Sequence, residues 1–244
     1  MRVRATFAIT TVLIWGPGIG MSRSAVTKGP RPAIALRVVD ESARVPPRTL
    51  SLAKKDAVRI FAQAGIDLTW LNCDPAEAEW GSANPCYQDR GPTDFWLPIV
   101  MRKPATTSCD ALGFAEIDEC QVTGSAGIYY PAVKAITREW HVREGEILAA
   151  AIAHGSGHLI LGANAHSLRG VMQANWGGTQ YEAIAISELN FAPKQTKALR
   201  EHIENRMLRT AAPTPERNII APLPRPLIQI LSTAQGASRQ LERQ

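Results

Sequence analysis

Residues 151–166 read AIAHGSGHLILGANAH and contain three of the five histidines, namely His154, His158 and His166. His154 and His158 are four residues apart, a spacing that places both imidazoles on one face of a helix, one turn apart. Gly162 follows an apolar run and predicts the end of that helix, after which the chain can turn back toward the two histidines. Three convergent neutral imidazoles are the usual protein ligands of a catalytic zinc ion.

This stretch resembles the H-E-x-x-H signature of zincin metallopeptidases, in the extended metzincin form with a downstream glycine and a third histidine. It is most similar to secreted bacterial metallopeptidase-like proteins that read approximately H-E-I-G-H-L-L-L-G, then N-x-H-S and then G-I-M. The matching runs here are Leu159-Ile160-Leu161-Gly162, Asn164-Ala165-His166-Ser167 and Gly170-Val171-Met172. The resemblance implies zinc ligation by His154, His158 and His166, with Met172 in a turn beneath the metal. It also implies a peptide or protein as substrate or ligand.

The sequence departs from that family pattern at two places. The third histidine follows the second by eight residues, whereas it follows by six in the usual metzincins. Position 155 is glycine, where the family has the glutamate that acts as general base. Ser156 is the next residue, but a hydroxyl is not a base at neutral pH. General acid–base catalysis contributes about 100- to 10000-fold, so we expect zinc to be retained and most hydrolysis to be lost.

Three other interpretations stay open. Glu182 or Glu188, after the methionine turn, can be recruited as a substitute acid in an active peptidase. The chain can instead be a non-catalytic secreted binding module that retains the fold. The motif can also be a core helix with incidental histidines. Gly155 and Gly157 lie inside the predicted helix and cost about 1 kcal/mol each relative to alanine, which indicates a decayed site.

The N-terminus has the pattern of a secretory signal peptide. A short basic start, Met1–Arg4, precedes an apolar run, Ala5–Trp15, that is too short to span a bilayer. We therefore expect residues 1–22 to be a signal peptide, residues 23–32 a flexible lead-in, and the protein to be secreted or periplasmic. The alternative is a buried N-terminal helix.

The cysteine count agrees with export. Four cysteines, at positions 73, 86, 109 and 120, predict two disulfides in an oxidising compartment. Three pairings are possible, and we expect the local one, Cys73–Cys86 with Cys109–Cys120, because both loops are short. A cysteine metal site is the alternative, but no C-x-x-C spacing supports it.

The hydrophobic periodicity between residues 33 and 209 predicts one α+β domain, which the resemblance makes zincin-like. Strands are predicted over 33–40, 66–71, 94–101, 112–117 and 125–130, and helices over 48–64, 144–161 and 193–208, with a short helix or packed loop over 179–189. The strand–helix–strand start is typical of a right-handed crossover onto a mixed, twisted sheet. Pro98 predicts an edge position or a bulge for its strand. Residues 125–130 are our candidate for the strand that lies along a peptide-binding cleft.

Composition excludes some function classes. The net charge is +5, and no cluster of Lys and Arg alternates with aromatic residues, so we expect no nucleic-acid partner. No segment after the leader looks transmembrane, and we expect no membrane partner. Five prolines between positions 213 and 226 make a regular helix there improbable, so residues 210–244 are expected to form a disordered tail.

Overall fold

The computed structural model describes residues 30–41, 44–73, 86, 88–104, 111–116, 125–162, 165–211 and 227–230. The expected signal peptide and the pair Cys109 and Cys120 lie outside these residues. The elements are β1 (Ala33–Glu41), α1 (Pro47–Gln63), β2 (Asp67–Asn72), β3 (Asp94–Val100), β4 (Gly113–Glu116), β5 (Ser125–Tyr129), α2 (Tyr130–Trp140), α3 (Glu144–Leu161), α4 (Gly178–Ala185), α5 (Pro193–Ala211) and β6 (Leu227–Ile230). Among the described helices, none combines the length and hydropathy needed to cross a bilayer.

The strands form one sheet with the order β2-β1-β3-β5-β4-β6. Strands β2, β1, β3 and β5 are mutually parallel where they pair, whereas β4 runs antiparallel to both β5 and β6. The parallel β1–α1–β2 unit is the crossover that the N-terminal pattern predicts. The predicted α+β class with a mixed sheet is therefore confirmed.

Two predictions about sheet edges are wrong. Strand β3, which contains Pro98, is interior and pairs with β1 and β5. Its register with β5 joins Trp96 to Ser125 and Ile99 to Ile128 but skips the two residues between them, so the missing N–H of Pro98 falls in a gap of the ladder. Strand β5 is also interior, between β3 and β4. It cannot present a free edge to a peptide, because both of its edges are already paired.

Helix α3 has the predicted bounds and is buried almost over its whole length. Every residue from Gly145 to Ile160 is buried, because the helix packs on the sheet and against α1, α2, α4 and α5. Small residues allow this close packing. A Cβ on Gly145 would lie 2.9 Å from the Cβ of Leu52 in α1, so glycine is required where the two helices meet.

The structure contains a helix, α2, that the sequence pattern did not predict. It begins at Tyr130 with Pro131 in its first turn, where proline is favoured because its missing N–H would have no helical partner. It ends at His141, which has a left-handed φ of 56° and donates its backbone N–H to Thr137. Helix α2 follows β5 without a loop between them, so no turn residue marks its beginning in the sequence.

The C-terminal part contains more regular structure than expected. Helix α5 continues to Ala211, two residues past the predicted domain boundary. Its Arg206 stacks over the Phe95 ring at 5.2 Å and donates to the carbonyl of Leu159 near the end of α3. Within the expected tail, Leu227–Ile230 pairs with β4 as strand β6.

A buried arginine joins the sheet to the disulfide loop. Arg37 in β1 is only 4% exposed and forms an ion pair with Asp94 at 2.6 Å. Its Nη1 also donates to the carbonyls of Cys86, at 3.0 Å, and Gln88, at 2.7 Å. Cys86 forms a disulfide with Cys73, the pairing expected from the sequence.

Candidate metal centre

Helix α3 and the loop after it bring the three histidines of the motif together. His154 and His158 lie one turn apart on α3, which ends at Gly162 with a φ of 93°, a conformation that favours glycine. The returning chain places His166 beside them. The Nε2 atom of His158 lies 3.1 Å from the Nε2 atom of His154 and 3.1 Å from that of His166. One nitrogen from each ring lies within 4.8 Å of the others.

Backbone carbonyls fix the orientation of the two helical imidazoles. The Nδ1 of His154 lies 2.7 Å from the carbonyl oxygen of Val171, and the Nδ1 of His158 lies 3.4 Å from that of Gly162. Because a carbonyl oxygen can only accept, each Nδ1 carries the proton and donates it. The Nε2 atoms of both rings are therefore lone-pair donors, and metal-binding histidines are commonly oriented in this way.

Burial keeps these imidazoles neutral. The pKa of His154 falls to about 3, chiefly because the ring is buried and secondly because His158 is close, while the bond to Val171 acts in the opposite direction. Burial and the neighbouring His166 lower the pKa of His158 to about 4. Burial also lowers the pKa of His166, the most exposed of the three. All three are neutral at pH 7, the form that binds metal ions.

The donor set fits a zinc ion. For Zn–N bonds of 2.0–2.1 Å, two ligand nitrogens of a tetrahedral site are about 3.3 Å apart; the separations here are 3.1 Å. Two neutral nitrogen lone pairs at this distance repel each other unless a cation lies between them. The three-histidine group can therefore bind a metal ion, and zinc is the ion that it suits best.

Met172, which the resemblance predicts beneath the metal, packs against helix α3 at Gly157. Its side chain is fully buried, and the backbone carbonyl of its neighbour Val171 holds His154. A Cβ on Gly157 would lie 2.3 Å from the Met172 sulfur. Gly157 therefore leaves room for the Met172 side chain, which gives this glycine a packing role.

The segment that carries His166 is held by a residue that the sequence did not reveal. Gln195 on α5 is 8% exposed and donates to the carbonyl of Ala165 at 2.9 Å. The Ser167 hydroxyl lies 3.2 Å from the Gln195 side-chain oxygen, to which it can donate. These contacts flank His166 on both sides. A glutamine in the first turn of a polar helix gives no sequence signal that distinguishes it from a solvent-exposed residue.

No carboxylate belongs to the histidine group within the described part of the chain. Gly155, at the position of the family glutamate, is buried in α3 and has no side chain. Glu144 accepts a hydrogen bond from Tyr130 at 2.6 Å, and Glu146 pairs with Arg143. The candidate substitute acids, Glu182 and Glu188, are exposed and outside the group. Among the described residues, the histidine group therefore contains three imidazoles and no carboxylate.

The two remaining histidines do not contribute to the site. His141 is exposed at the end of α2. His202 is an exposed residue of α5, with its Nδ1 at 2.8 Å from the carbonyl of Ala198. Neither residue belongs to the histidine group.

An apolar recess adjoins the histidines on the side of His154. Its lining consists of Leu112, Gly113, Ile128, Ala151, His154, Ala174 and Trp176. The Trp176 indole packs nearly perpendicular to the His154 ring, with the ring centres 5.7 Å apart. Apart from the His154 and Trp176 rings, the lining side chains of this recess are apolar.

Comparisons with known proteins place this geometry beside zinc peptidases at low similarity. No protein-family model matches the chain, and no curated protein matches it. Archaemetzincin from Methanopyrus kandleri has 14% identity and a TM-score of 0.42, covering 73% of this chain and 99% of its own. A zinc-dependent peptidase from Methanocorpusculum labreanum has 12% identity and a TM-score of 0.41, covering 68% and 99%. Both TM-scores are below 0.5, so these similarities do not indicate a function for this chain.

Proposed function

We propose that this protein is an exported zinc-binding protein of the metallopeptidase type, in which the metal is retained and peptide hydrolysis is strongly impaired. The observation that carries the proposal is the arrangement of three neutral histidines, in which the Nε2 atom of His158 lies 3.1 Å from those of His154 and His166. The leader-like N-terminus and the Cys73–Cys86 disulfide support export.

The chemistry divides between the metal and the side chains around it. His154, His158 and His166 would hold a zinc ion, which would supply Lewis acidity to polarise a carbonyl group. The carbonyl of Val171 holds His154. The missing part is a group that accepts a proton and later donates it, because Gly155 has no side chain that can do either. We therefore expect the protein to bind zinc in a one-to-one ratio and to cleave peptides very slowly.

The test restores the missing carboxylate. Gly155→Glu is expected to raise the rate of hydrolysis of a casein-derived peptide mixture by about 100- to 10000-fold over the unmutated chain. Gly155→Gln is the matched control, since it has the same size and no base, and it should stay at the unmutated rate. Zinc content is measured for all three proteins by atomic absorption.

Three results would contradict the proposal. Absence of zinc from the purified, zinc-supplied chain would remove its basis. Rapid, chelator-sensitive hydrolysis by the unmutated chain would mean that another acid, such as Glu182 or Glu188, has replaced the glutamate. Equal rates for Gly155→Glu and Gly155→Gln, with zinc bound in both, would mean that position 155 does not control hydrolysis.

A non-catalytic binding module is the second candidate. The histidine group favours it, because within the described residues the group contains no carboxylate and ligand binding needs no general base. Peptide binding that is insensitive to chelators, together with no cleavage by Gly155→Glu, would support this alternative over the first.

A further inference from the structure

The three candidate ligands differ in how their rings are held. His154 and His158 lie on the buried helix α3, and the Nδ1 atom of each faces a backbone carbonyl. His166 lies beyond the end of α3 and is exposed. Among the described residues, the hydrogen-bonding contact of its ring is with the Nε2 atom of His158. The position of the His166 ring therefore depends on the backbone that carries it.

A buried glutamine of α5 holds that backbone. Gln195 is 8% exposed, and its Nε2 donates to the Ala165 carbonyl at 2.9 Å. Because a carbonyl oxygen only accepts, this contact fixes the orientation of the amide and turns its Oε1 toward the Ser167 hydroxyl, 3.2 Å away. The backbone N–H of Ser167 also donates to the carbonyl of Met172 at 2.9 Å. The residue before His166 and the residue after it are therefore both in contact with Gln195.

The chain that enters α5 also supports a second ligand. The carbonyl of Asn190, three residues before the helix, accepts from the backbone N–H of Val171 at 2.9 Å. The carbonyl of Val171 in turn holds His154. Glycine is required beside this bond, because Gly170 has a φ of 79° and a Cβ there would lie 2.5 Å from the Asn190 oxygen. Residues 190–195 therefore contact the supports of two of the three histidines.

Helix α5 is anchored to the rest of the protein independently of Gln195. Its residues Leu199 and Ile203 are fully buried, and Arg206 donates to the carbonyl of Leu159 in α3. Loss of the Gln195 amide should therefore leave α5 in place while the segment that carries His166 becomes free to move. A role in positioning the ligand can thus be separated from a role in holding the fold.

We propose that Gln195 is a positioning residue of the metal centre: its amide holds the Ala165–Ser167 segment so that His166 reaches an ion bound by His154 and His158. This inference deepens the proposed function and rests on it, because a third ligand matters only where a metal ion binds. It assigns part of the metal affinity to a helix outside the histidine motif. Outer contacts that orient ligands typically change metal affinity about 10- to 100-fold.

The test removes the amide and keeps the size of the side chain. Gln195→Met should lower zinc affinity about 10- to 100-fold in competition with a chromogenic chelator. Gln180→Met is the matched control. Gln180 is likewise the third residue of its helix, α4, and makes two hydrogen bonds, but its partners are Gly177 and Gln173. This control should bind zinc as the unmutated chain does.

A spectroscopic measurement on the zinc-free chain separates positioning from stability. The ring centres of His158 and His166 lie 4.7 Å apart, so their ring protons are expected to show a nuclear Overhauser effect. This effect should weaken or disappear in Gln195→Met and persist in Gln180→Met. A role of Gln195 in stability alone would lower the free energy of unfolding and leave the effect unchanged. If Gln195→Met does not fold, Gln195→Asn replaces it, since its amide is one methylene too short to keep the Ala165 contact.

The outcomes distinguish this inference from the proposed function. An unchanged zinc affinity in Gln195→Met, or an equal loss in Gln180→Met, overturns the inference and leaves the zinc site intact. A chain that binds no zinc overturns the proposed function. The nuclear Overhauser effect between His158 and His166 then decides the inference: its loss in Gln195→Met supports the positioning role, and its persistence overturns it.

Discussion

Two buried polar clusters in this protein differ in how their groups are satisfied. Around Arg37, the guanidinium donates to Asp94 and to the carbonyls of Cys86 and Gln88, so its donors have acceptors inside the protein. At the metal centre, the Nδ1 atoms of two histidines face carbonyls, while the described partners of their Nε2 atoms are the other histidines. A cluster satisfied from within stabilises the fold, whereas convergent imidazole nitrogens are suited to binding a cation.

The largest expected effect breaks the first cluster. Arg37→Met should lower the free energy of unfolding by about 3–5 kcal/mol, because it leaves the Asp94 carboxylate buried without its partner. Urea unfolding measures this. Arg31→Met is the control, since the Arg31–Asp67 pair is exposed and should contribute less than about 1 kcal/mol. Equal losses of unfolding free energy in both variants would mean that burial of the Arg37–Asp94 pair does not increase its contribution to stability.

Breaking the second cluster should affect metal binding rather than folding. His158→Ala removes a ligand, and we expect zinc affinity to fall by more than 100-fold, beyond the effect of losing an outer contact. Competition with a chromogenic chelator measures it. His202→Ala, which removes an exposed histidine outside the site, should bind zinc as the unmutated chain does. Retained affinity in His158→Ala would mean that zinc binds elsewhere.

A smaller change tests the packing of Met172 against helix α3. Gly157→Ala places a methyl group where the Met172 sulfur now lies, with a predicted contact of 2.3 Å. We expect a loss of about 1–3 kcal/mol in unfolding free energy from overpacking, although alanine is the better helix former. Thermal unfolding reports it. Gly157→Ala combined with Met172→Ala should recover part of the loss, and no recovery would exclude this contact as the cause.

The last expected effect, which is small near neutral pH and grows as the pH falls, is a pH dependence of the zinc-free protein. The folded pKa values of His154 and His158, about 3 and about 4, lie below the unfolded value of about 6.5. Below pH 6.5 the unfolded chain takes up protons that the folded chain does not, so stability falls toward pH 4, by at most about 1.4 kcal/mol per pH unit for each histidine. His154→Ala should show a shallower decline in chelator-treated samples; an identical decline would contradict the burial argument.

The sequence predicted the parts of this protein that depend on local pattern. The bounds of α3 follow from its acidic first turn and its terminal Gly162, and the i, i+4 spacing placed His154 beside His158. The strand at residues 33–40 and the helix at 48–64 were close to β1 and α1 because their periodicity is strong.

The missed parts depend on contacts between distant residues. The Gln195–Ala165 bond joins positions thirty residues apart. The carbonyl of Val171 is a backbone group, so its contact with His154 does not depend on the side chain at position 171. Strand order is equally non-local: Pro98 indicated an edge, but β5 pairs on the other side of its strand. The residue types of the site could therefore be predicted from the sequence, whereas the contacts that hold them in position could not.

Strand β6 has a consequence for how the protein behaves in concentrated solution. It covers the outer side of β4, with Ile230 opposite Gly113 and Leu227 opposite Glu116. Without β6, those backbone N–H and C=O groups would form an open sheet edge, which is a template for pairing with another molecule. The C-terminal strand thus pairs these groups of β4 and becomes the edge strand itself, and a chain shortened after Ala211 should leave the β4 edge open to pairing with another molecule.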